Sequence, residues 1–111
     1  MADAAPSFPL RGADAPVAVL LGEATASSGE MVAIAFAGRP DARSFGRTTA
    51  RLSTANRSFP LPDGAWLMIT SAWARDRAGR EYAGPLQPDV PTAPGDAEAA
   101  ALRWLRSRPC R

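Results

Sequence analysis

Hydrophobic positions fall into a few short runs separated by small or polar residues. The first run, Val17 to Leu21, is apolar throughout, and a longer one extends from Met31 to Ala37. A short apolar run, a turn and a longer apolar run predict a strand, a turn and a helix. We expect a strand over 17–21 and a helix over about 27–37. Because the strand is apolar on both faces, it should be a central parallel strand.

The predicted helix is apolar on most of its circumference. Met31, Ile34 and Ala35 share one face, and Val32 and Phe36 cover much of the rest, so the helix should be deeply buried. Glycine and proline in 38–40 should end it.

Further along the chain the pattern changes to that of strands and turns. A short strand is expected over 42–46 and a loop over 48–56. The apolar stretches 58–61 and 65–70 flank Pro62-Asp63-Gly64, which predicts a hairpin. A second turn over 76–79 should lead into a short segment at 80–82.

The last part of the chain should be an extended loop followed by a helix. Residues 85–94 contain four prolines, which favour extended backbone. Asp96 is a good N-cap for a helix that runs to about Ser107. Ala101, Leu102 and Leu105 should face inward.

Length and composition limit the chain to one small domain. At 111 residues it can bury a modest core. We expect a loose arm over 1–15, which Phe8 and Leu10 could dock onto the core, and a domain over 16–108. The net charge is +2 and the arginines are scattered, so no nucleic-acid partner is expected.

The chain has few of the residue types that bind metals or form disulfides. It contains no histidine and one cysteine, Cys110, so no internal disulfide, metal or cofactor is expected. No apolar run approaches the roughly 20 residues that span a bilayer, and no signal peptide is evident. The sequence therefore does not predict a cellular compartment for the protein.

The candidate chemistry lies in the turn before the first helix, Ala24-Thr25-Ala26-Ser27-Ser28-Gly29-Glu30. A serine there projects beside the free N–H groups of a helix's first turn, an arrangement suited to acyl chemistry. The alternative is that Thr25, Ser27 or Ser28 caps the helix and Glu30 completes a capping box. A variant nucleophile elbow, Thr25-x-Ser27-x-Gly29, would need a histidine downstream, and none follows.

Six segments in order give the chain a family resemblance over roughly 16–105. It resembles the C-terminal processing (tail-specific) serine peptidases, in the tricorn-like or retinoid-binding-repeat branch. The segments are Val17–Leu21, Thr25–Glu30, Phe45–Thr49, Leu61–Gly64, Asp76–Gly79 and Gly84–Asp89.

The resemblance implies a crotonase-like α/β fold that cleaves peptides with a serine nucleophile. It places the nucleophile on Ser27 and half of the oxyanion hole on the N–H of Ser28. The other half would come from a glycine-rich upstream segment that this sequence does not contain.

The resemblance also exposes a missing base. In the branch with a serine–lysine dyad, the lysine would fall on Leu52, and the chain has no lysine at all. The tricorn-like branch uses an upstream histidine and a downstream glutamate, which would fall near Glu81. The alternative for Glu81 is a solvated charge on a hairpin.

The resemblance finally implies that the sequence matches the C-terminal half of a peptidase domain. Such a half should associate with the missing N-terminal half or with itself, and act on peptides or proteins only when completed. A second hypothesis is an inert or ligand-binding module like the interphotoreceptor retinoid-binding repeats. Trp66, Met68 and Trp73 would then line an apolar pocket.

Overall fold

The computed structural model describes residues 8, 11–51 and 53–109. This part of the chain is a mixed α/β structure with two helices and two three-stranded sheets. In chain order the elements are β1 (Val17–Leu21), α1 (Ser28–Phe36), β2 (Ala42–Gly46), β3 (Thr54–Pro60), β4 (Trp66–Arg75), β5 (Glu81–Tyr82), β6 (Val90–Pro91) and α2 (Ala97–Arg106).

The first sheet is parallel, with the strand order β1-β2-β6. The predicted strands at 17–21 and 42–46 are confirmed. The prediction that the first strand is central is wrong, because β1 is an edge of this sheet within the described residues. Gly46 has φ 128°, and a Cβ there would lie 2.0 Å from the Leu21 carbonyl oxygen. Only glycine allows the ends of β1 and β2 to approach so closely.

Helix α1 covers one face of this sheet and contributes to a small core. Leu21, Ala33, Ile34 and Leu86 are buried together. The helix bounds are confirmed within a residue at each end, but deep burial is wrong: Met31 is 37% exposed and Val32 is 59% exposed. Their exposure follows from the packing, because α1 contacts protein on one side only.

Helix α2 packs against β1 and β2. Ala101 is buried, and the ring of Trp104 lies 5.8 Å from that of Phe45, centroid to centroid. The helix is predicted correctly, but Leu102 does not face inward and is 43% exposed. Trp104 takes the inward position, because residues 101, 104 and 105 form the i, i+3, i+4 stripe that meets the sheet.

The second sheet has the order β3-β4-β5. The predicted hairpin is confirmed, since β3 and β4 pair antiparallel around the turn at Pro62-Asp63-Gly64. The predicted loop over 48–56 is partly wrong, because β3 begins at Thr54. We call residues 54–75 the apolar ribbon, since its large hydrophobic side chains are exposed. They are Phe59, Leu61, Trp66, Leu67, Met68, Ile69 and Trp73.

Several expectations concern the ends of the chain or residues that the structure does not describe. Phe8 is 83% exposed, so it does not dock onto the core. Leu10, Leu52 and Cys110 lie outside the described residues. Within the described part, no helix is long and apolar enough to cross a membrane. The same part holds no cluster of three potential metal-ligating His, Cys, Asp or Glu side chains.

Asp76 organises the turn between β4 and β5. Its Oδ1 accepts hydrogen bonds from the N–H groups of Ala78 (2.9 Å) and Arg80 (3.0 Å), and its Oδ2 accepts one from the Tyr82 hydroxyl (2.8 Å). The Tyr82 bond holds the pKa of Asp76 below its usual value of 3.8. Burial, followed by the Asp76 carboxylate, raises the pKa of Tyr82 to about 12.

Asp76→Asn should lower the pKa of Tyr82 towards 10.0 without reaching it, because burial remains as the larger cause. Tyr82 is the only tyrosine, so phenolate absorbance reports it alone.

The two shifted groups also make folding stability depend on pH. The contribution of Tyr82 to the free energy of unfolding is fully present below pH 10 and is lost as the pH rises towards 12. The contribution of Asp76 is present above its unfolded pKa and is lost as the pH falls through its lowered folded pKa.

Asp63→Asn is the matched control, because Asp63 also accepts a turn N–H, that of Ala65 at 3.0 Å. It should leave the tyrosine titration unchanged. An Asp76→Asn titration identical to that of the unsubstituted protein would contradict the assignment.

Candidate functional site

Ser27 lies at the N-cap of α1, after the turn that follows β1, and it is exposed. Its backbone has φ 50° and ψ −116°, a region that residues other than glycine rarely adopt. An ordinary N-cap residue has extended backbone instead. Such an outlier costs about 1–3 kcal/mol and is typical of functional sites. Helix capping alone does not explain this conformation.

Glu30 completes the capping arrangement. Ser27 and Glu30 form a capping box, in which the Ser27 N–H donates a 3.0 Å hydrogen bond to Glu30 Oε2. The capping interpretation is therefore confirmed for Ser27. It is compatible with a chemical role, because in the box the Ser27 hydroxyl acts as a hydrogen-bond acceptor, keeps its own proton and belongs to an exposed residue.

The Glu30 side chain is 0% exposed and also binds a second loop. Its Oε1 accepts the hydroxyl of Thr49 and, at 3.1 Å, the N–H of Arg51. Arg51 has φ 76°, and in the described chain Ser27 and Arg51 are the only residues other than glycine with a positive φ. One buried carboxylate thus accepts a backbone N–H from both strained residues.

Thr49 links this carboxylate to the core. Its hydroxyl accepts a 2.8 Å hydrogen bond from the Leu86 N–H, and its own N–H donates to the Leu86 carbonyl at 3.1 Å. The adjacent Ala50 N–H donates to the Thr25 carbonyl at 2.9 Å. The loop 47–51 therefore runs alongside the turn 22–27 and fixes its position.

Two side chains at the rim of the site form an ion pair. Arg47 Nη2 lies 2.7 Å from Glu23 Oε1, and both side chains are exposed. Exposed pairs of this kind stabilise a protein by less than about 1 kcal/mol. Because the two opposite charges cancel, this ion pair adds no net charge next to the Ser27 turn.

Ser28 and Glu81, the other residues assigned from the resemblance, differ in their surroundings. Ser28 is the exposed first residue of α1, where backbone N–H groups have no helical acceptor. Glu81 lies on β5 and forms an ion pair with Arg75, as expected of a hairpin charge. The turn before it contacts the other end of α1, where Arg77 donates to the Ala35 carbonyl at 2.8 Å. The catalytic roles of both residues remain predictions.

A surface cleft lies away from Ser27. It has a volume of about 560 Å³ and extends along the C-terminal half of α1 towards Asp76 and Tyr82. Trp66, Met68 and Trp73 do not line it, and they are 66%, 62% and 59% exposed. The expectation that these three line an apolar pocket is wrong for the described structure, because all three side chains are exposed.

Sequence reasoning missed two residues of this site. Thr49 belongs to a segment that carried the family resemblance, but a buried bond to Glu30 could not be deduced from that match. Arg51 gave no signal, because a positive φ at arginine contradicts its local preference. Glu30 itself was identified only as a capping residue.

Known proteins resemble the chain over most of its length. The model of peptidase family S41 matches residues 3–92. The nisin-resistance protein of Lactococcus lactis subsp. lactis is 39% identical over 95 residues, which are 85% of this chain and 29% of that protein. A solved lipoprotein structure from Streptococcus agalactiae is 39% identical with a TM-score of 0.71, covering 85% of this chain and 32% of the other. The chain therefore spans less than a third of each relative.

Ser27→Gly should leave the protein at least as stable as the unsubstituted chain, and up to about 1 kcal/mol more stable. Glycine adopts positive φ freely, whereas losing a serine cap to glycine costs only a few tenths of a kcal/mol. Urea unfolding measures the difference.

Ser28→Gly is the matched control, because Ser28 is helical. Glycine there should reduce stability by about 0.5–1 kcal/mol. Equal losses for the two variants would show that the Ser27 backbone is unstrained.

Proposed function

The chain belongs to peptidase family S41, and we propose that it is the nucleophile-bearing part of a serine endopeptidase. The observation that carries the proposal is Ser27, which is exposed and strained at a strand–helix turn and hydrogen-bonded through its N–H to the buried Glu30. A nucleophile needs an accessible hydroxyl in a fixed position beside free N–H donors. At the start of α1, the exposed Ser27 and the N–H of Ser28 support this proposal.

In the proposed reaction Ser27 Oγ attacks the carbonyl carbon of the scissile peptide bond. The hydroxyl proton passes to a general base, and the N–H of Ser28 donates to the developing oxyanion. Collapse of the tetrahedral intermediate breaks the C–N bond, and the base returns its proton to the leaving amine. Water then hydrolyses the acyl-enzyme by the same steps.

The general bases that the two branches of the family use are missing from these 111 residues, and we infer that the base comes from another segment. The sequence has neither histidine nor lysine, and arginine stays protonated. We propose the tricorn-like arrangement, in which a histidine from another segment acts as the base and Glu81 orients it. The complete domain would be crotonase-like, and the parallel pairing of β1, β2 and β6 supports that fold.

The isolated chain should not hydrolyse casein or peptide esters. Activity should appear on assembly with the upstream portion of a full-length S41 relative that carries its histidine and glycine-rich strand. In that assembly Ser27→Ala should lower the hydrolysis rate by several powers of ten, because the attacking atom is lost.

Ser28→Ala is the control, since its backbone N–H remains. It should keep the rate within severalfold. A reassembled enzyme that cleaves peptides equally well with alanine at position 27 would rule out the proposed nucleophile.

We further propose that the apolar ribbon is the contact surface for the rest of a peptidase domain or, without it, for a second copy. Trp66 and Met68 point to one face of β4, and Leu67 and Ile69 point to the other. All four are exposed. An isolated two-stranded ribbon is only marginally stable in water, and contiguous apolar patches mark interaction sites.

The isolated chain should therefore self-associate as its concentration rises, in sedimentation velocity experiments. The double substitution Trp66→Ser and Leu67→Ser, one on each face, should weaken this association at least tenfold. Val32→Ser is the control, because it removes an exposed apolar side chain from α1 instead. A chain that stays monomeric at millimolar concentration would contradict the proposal.

A further inference from the structure

Arg51 occupies a position next to Ser27 that the proposed chemistry does not use. Glu30 Oε2 accepts the N–H of Ser27 and Oε1 accepts that of Arg51, at 3.0 and 3.1 Å. Since both oxygens belong to one carboxylate, the two backbones flank a single buried group. The long arginine side chain starts close enough to reach the space over Ser27.

The backbone of Arg51 is held in a conformation that arginine does not favour. Glycine and asparagine adopt a φ of 76° more readily than arginine does. Holding Arg51 in this conformation destabilises the folded state by about 1–3 kcal/mol. The cost is offset by the bond to Glu30, which any residue except proline could donate. The backbone conformation and its bond to Glu30 therefore fix the position of the Arg51 Cβ, but neither requires the side chain to be cationic.

The charges around the site leave Arg51 uncompensated at the surface. Glu23 and Arg47 form an ion pair and cancel each other. Glu30 is fully buried, and its oxygens are turned towards protein donors, so a ligand cannot contact it. Within the described residues, no carboxylate lies within ion-pair distance of the Arg51 guanidinium, and the residue is exposed.

We propose that Arg51 is a specificity residue that binds a carboxylate of the peptide substrate beside the bond that Ser27 attacks. The inference rests on the proposed peptidase function and deepens it by naming a feature of the substrate. A guanidinium forms two parallel hydrogen bonds with a carboxylate, which adds geometric selection to the charge. The carboxylate belongs either to an acidic side chain or to the C-terminus of the substrate.

The test measures binding to the isolated chain, so it needs no general base. The probes are three acetylated pentapeptides in which every residue except the central one is alanine. They differ in the central residue or in the group at the C-terminus. One has a central glutamate and an amidated C-terminus, one has glutamine and an amide, and one has glutamine and a free C-terminal carboxylate. Dissociation constants come from NMR titration at low salt.

At least one carboxylate peptide should bind about threefold to fivefold more tightly than the neutral peptide, the range expected of an exposed ion pair. Preference for the glutamate peptide identifies an acidic side chain as the source, and preference for the free carboxylate identifies the C-terminus. Equal binding of all three peptides overturns the proposal.

Arg51→Asn should abolish the preference while leaving the fold intact, because asparagine keeps the N–H and tolerates positive φ. Arg51→Lys should restore part of it through charge alone. Arg57→Gln is the matched control, because it removes another exposed arginine, on β3, and the preference should survive it. A preference that persists in Arg51→Asn, or that disappears in Arg57→Gln, also overturns the proposal.

The two hypotheses fail separately. If Ser27→Ala leaves the reassembled enzyme active but the carboxylate preference depends on Arg51, the nucleophile assignment is wrong and the binding site stands. If Ser27 proves essential and the preference is missing, only the role of Arg51 is wrong.

Discussion

The site depends on one buried carboxylate. An ionised carboxylate that is removed from water is strongly destabilising unless hydrogen-bond donors surround it. Glu30 has these donors from the turn before α1 and from the loop after β2. The turn and the loop are therefore fixed relative to each other, because moving either would leave a buried charge without its partners. Leaving such a buried group without a hydrogen-bond donor costs about 1–3 kcal/mol, and more when the group is charged.

This constraint explains why two strained residues persist so close together. The strain at Ser27 and Arg51, about 1–3 kcal/mol for each residue, is of the same order as the cost of leaving Glu30 without its donors, so the hydrogen bonds to Glu30 can offset it. Thr49 transmits the same constraint to the core, since its hydroxyl contacts Glu30 and its backbone pairs with Leu86. The position of the candidate nucleophile is thus set by tertiary structure rather than by the local turn sequence.

Features that depend on residues close in sequence were predicted correctly, whereas features that depend on contacts between distant segments were not. Helix α1, strands β1 and β2 and the hairpin turn at Asp63 depend on nearby residues, and their positions were predicted. The exposure of Met31, Val32 and Leu102 depends on what packs against each helix, which hydrophobicity alone does not show. Glu30, the shared partner of Ser27 and Arg51, is separated from Arg51 by the rest of α1 and by β2, and no local pattern encodes such a contact.

The close approach of Gly46 to the Leu21 carbonyl also restricts how the chain can misfold. Parallel strands can slip along one another, and a shift by one residue would turn every side chain to the opposite face. At this junction the Gly46 backbone has φ 128°, and a Cβ in that conformation has no room beside the Leu21 oxygen. A slip that brought Phe45 or Arg47 to this position would therefore require the local backbone to change. The absence of one side chain thus favours the observed alignment of the two strands that lead into the site.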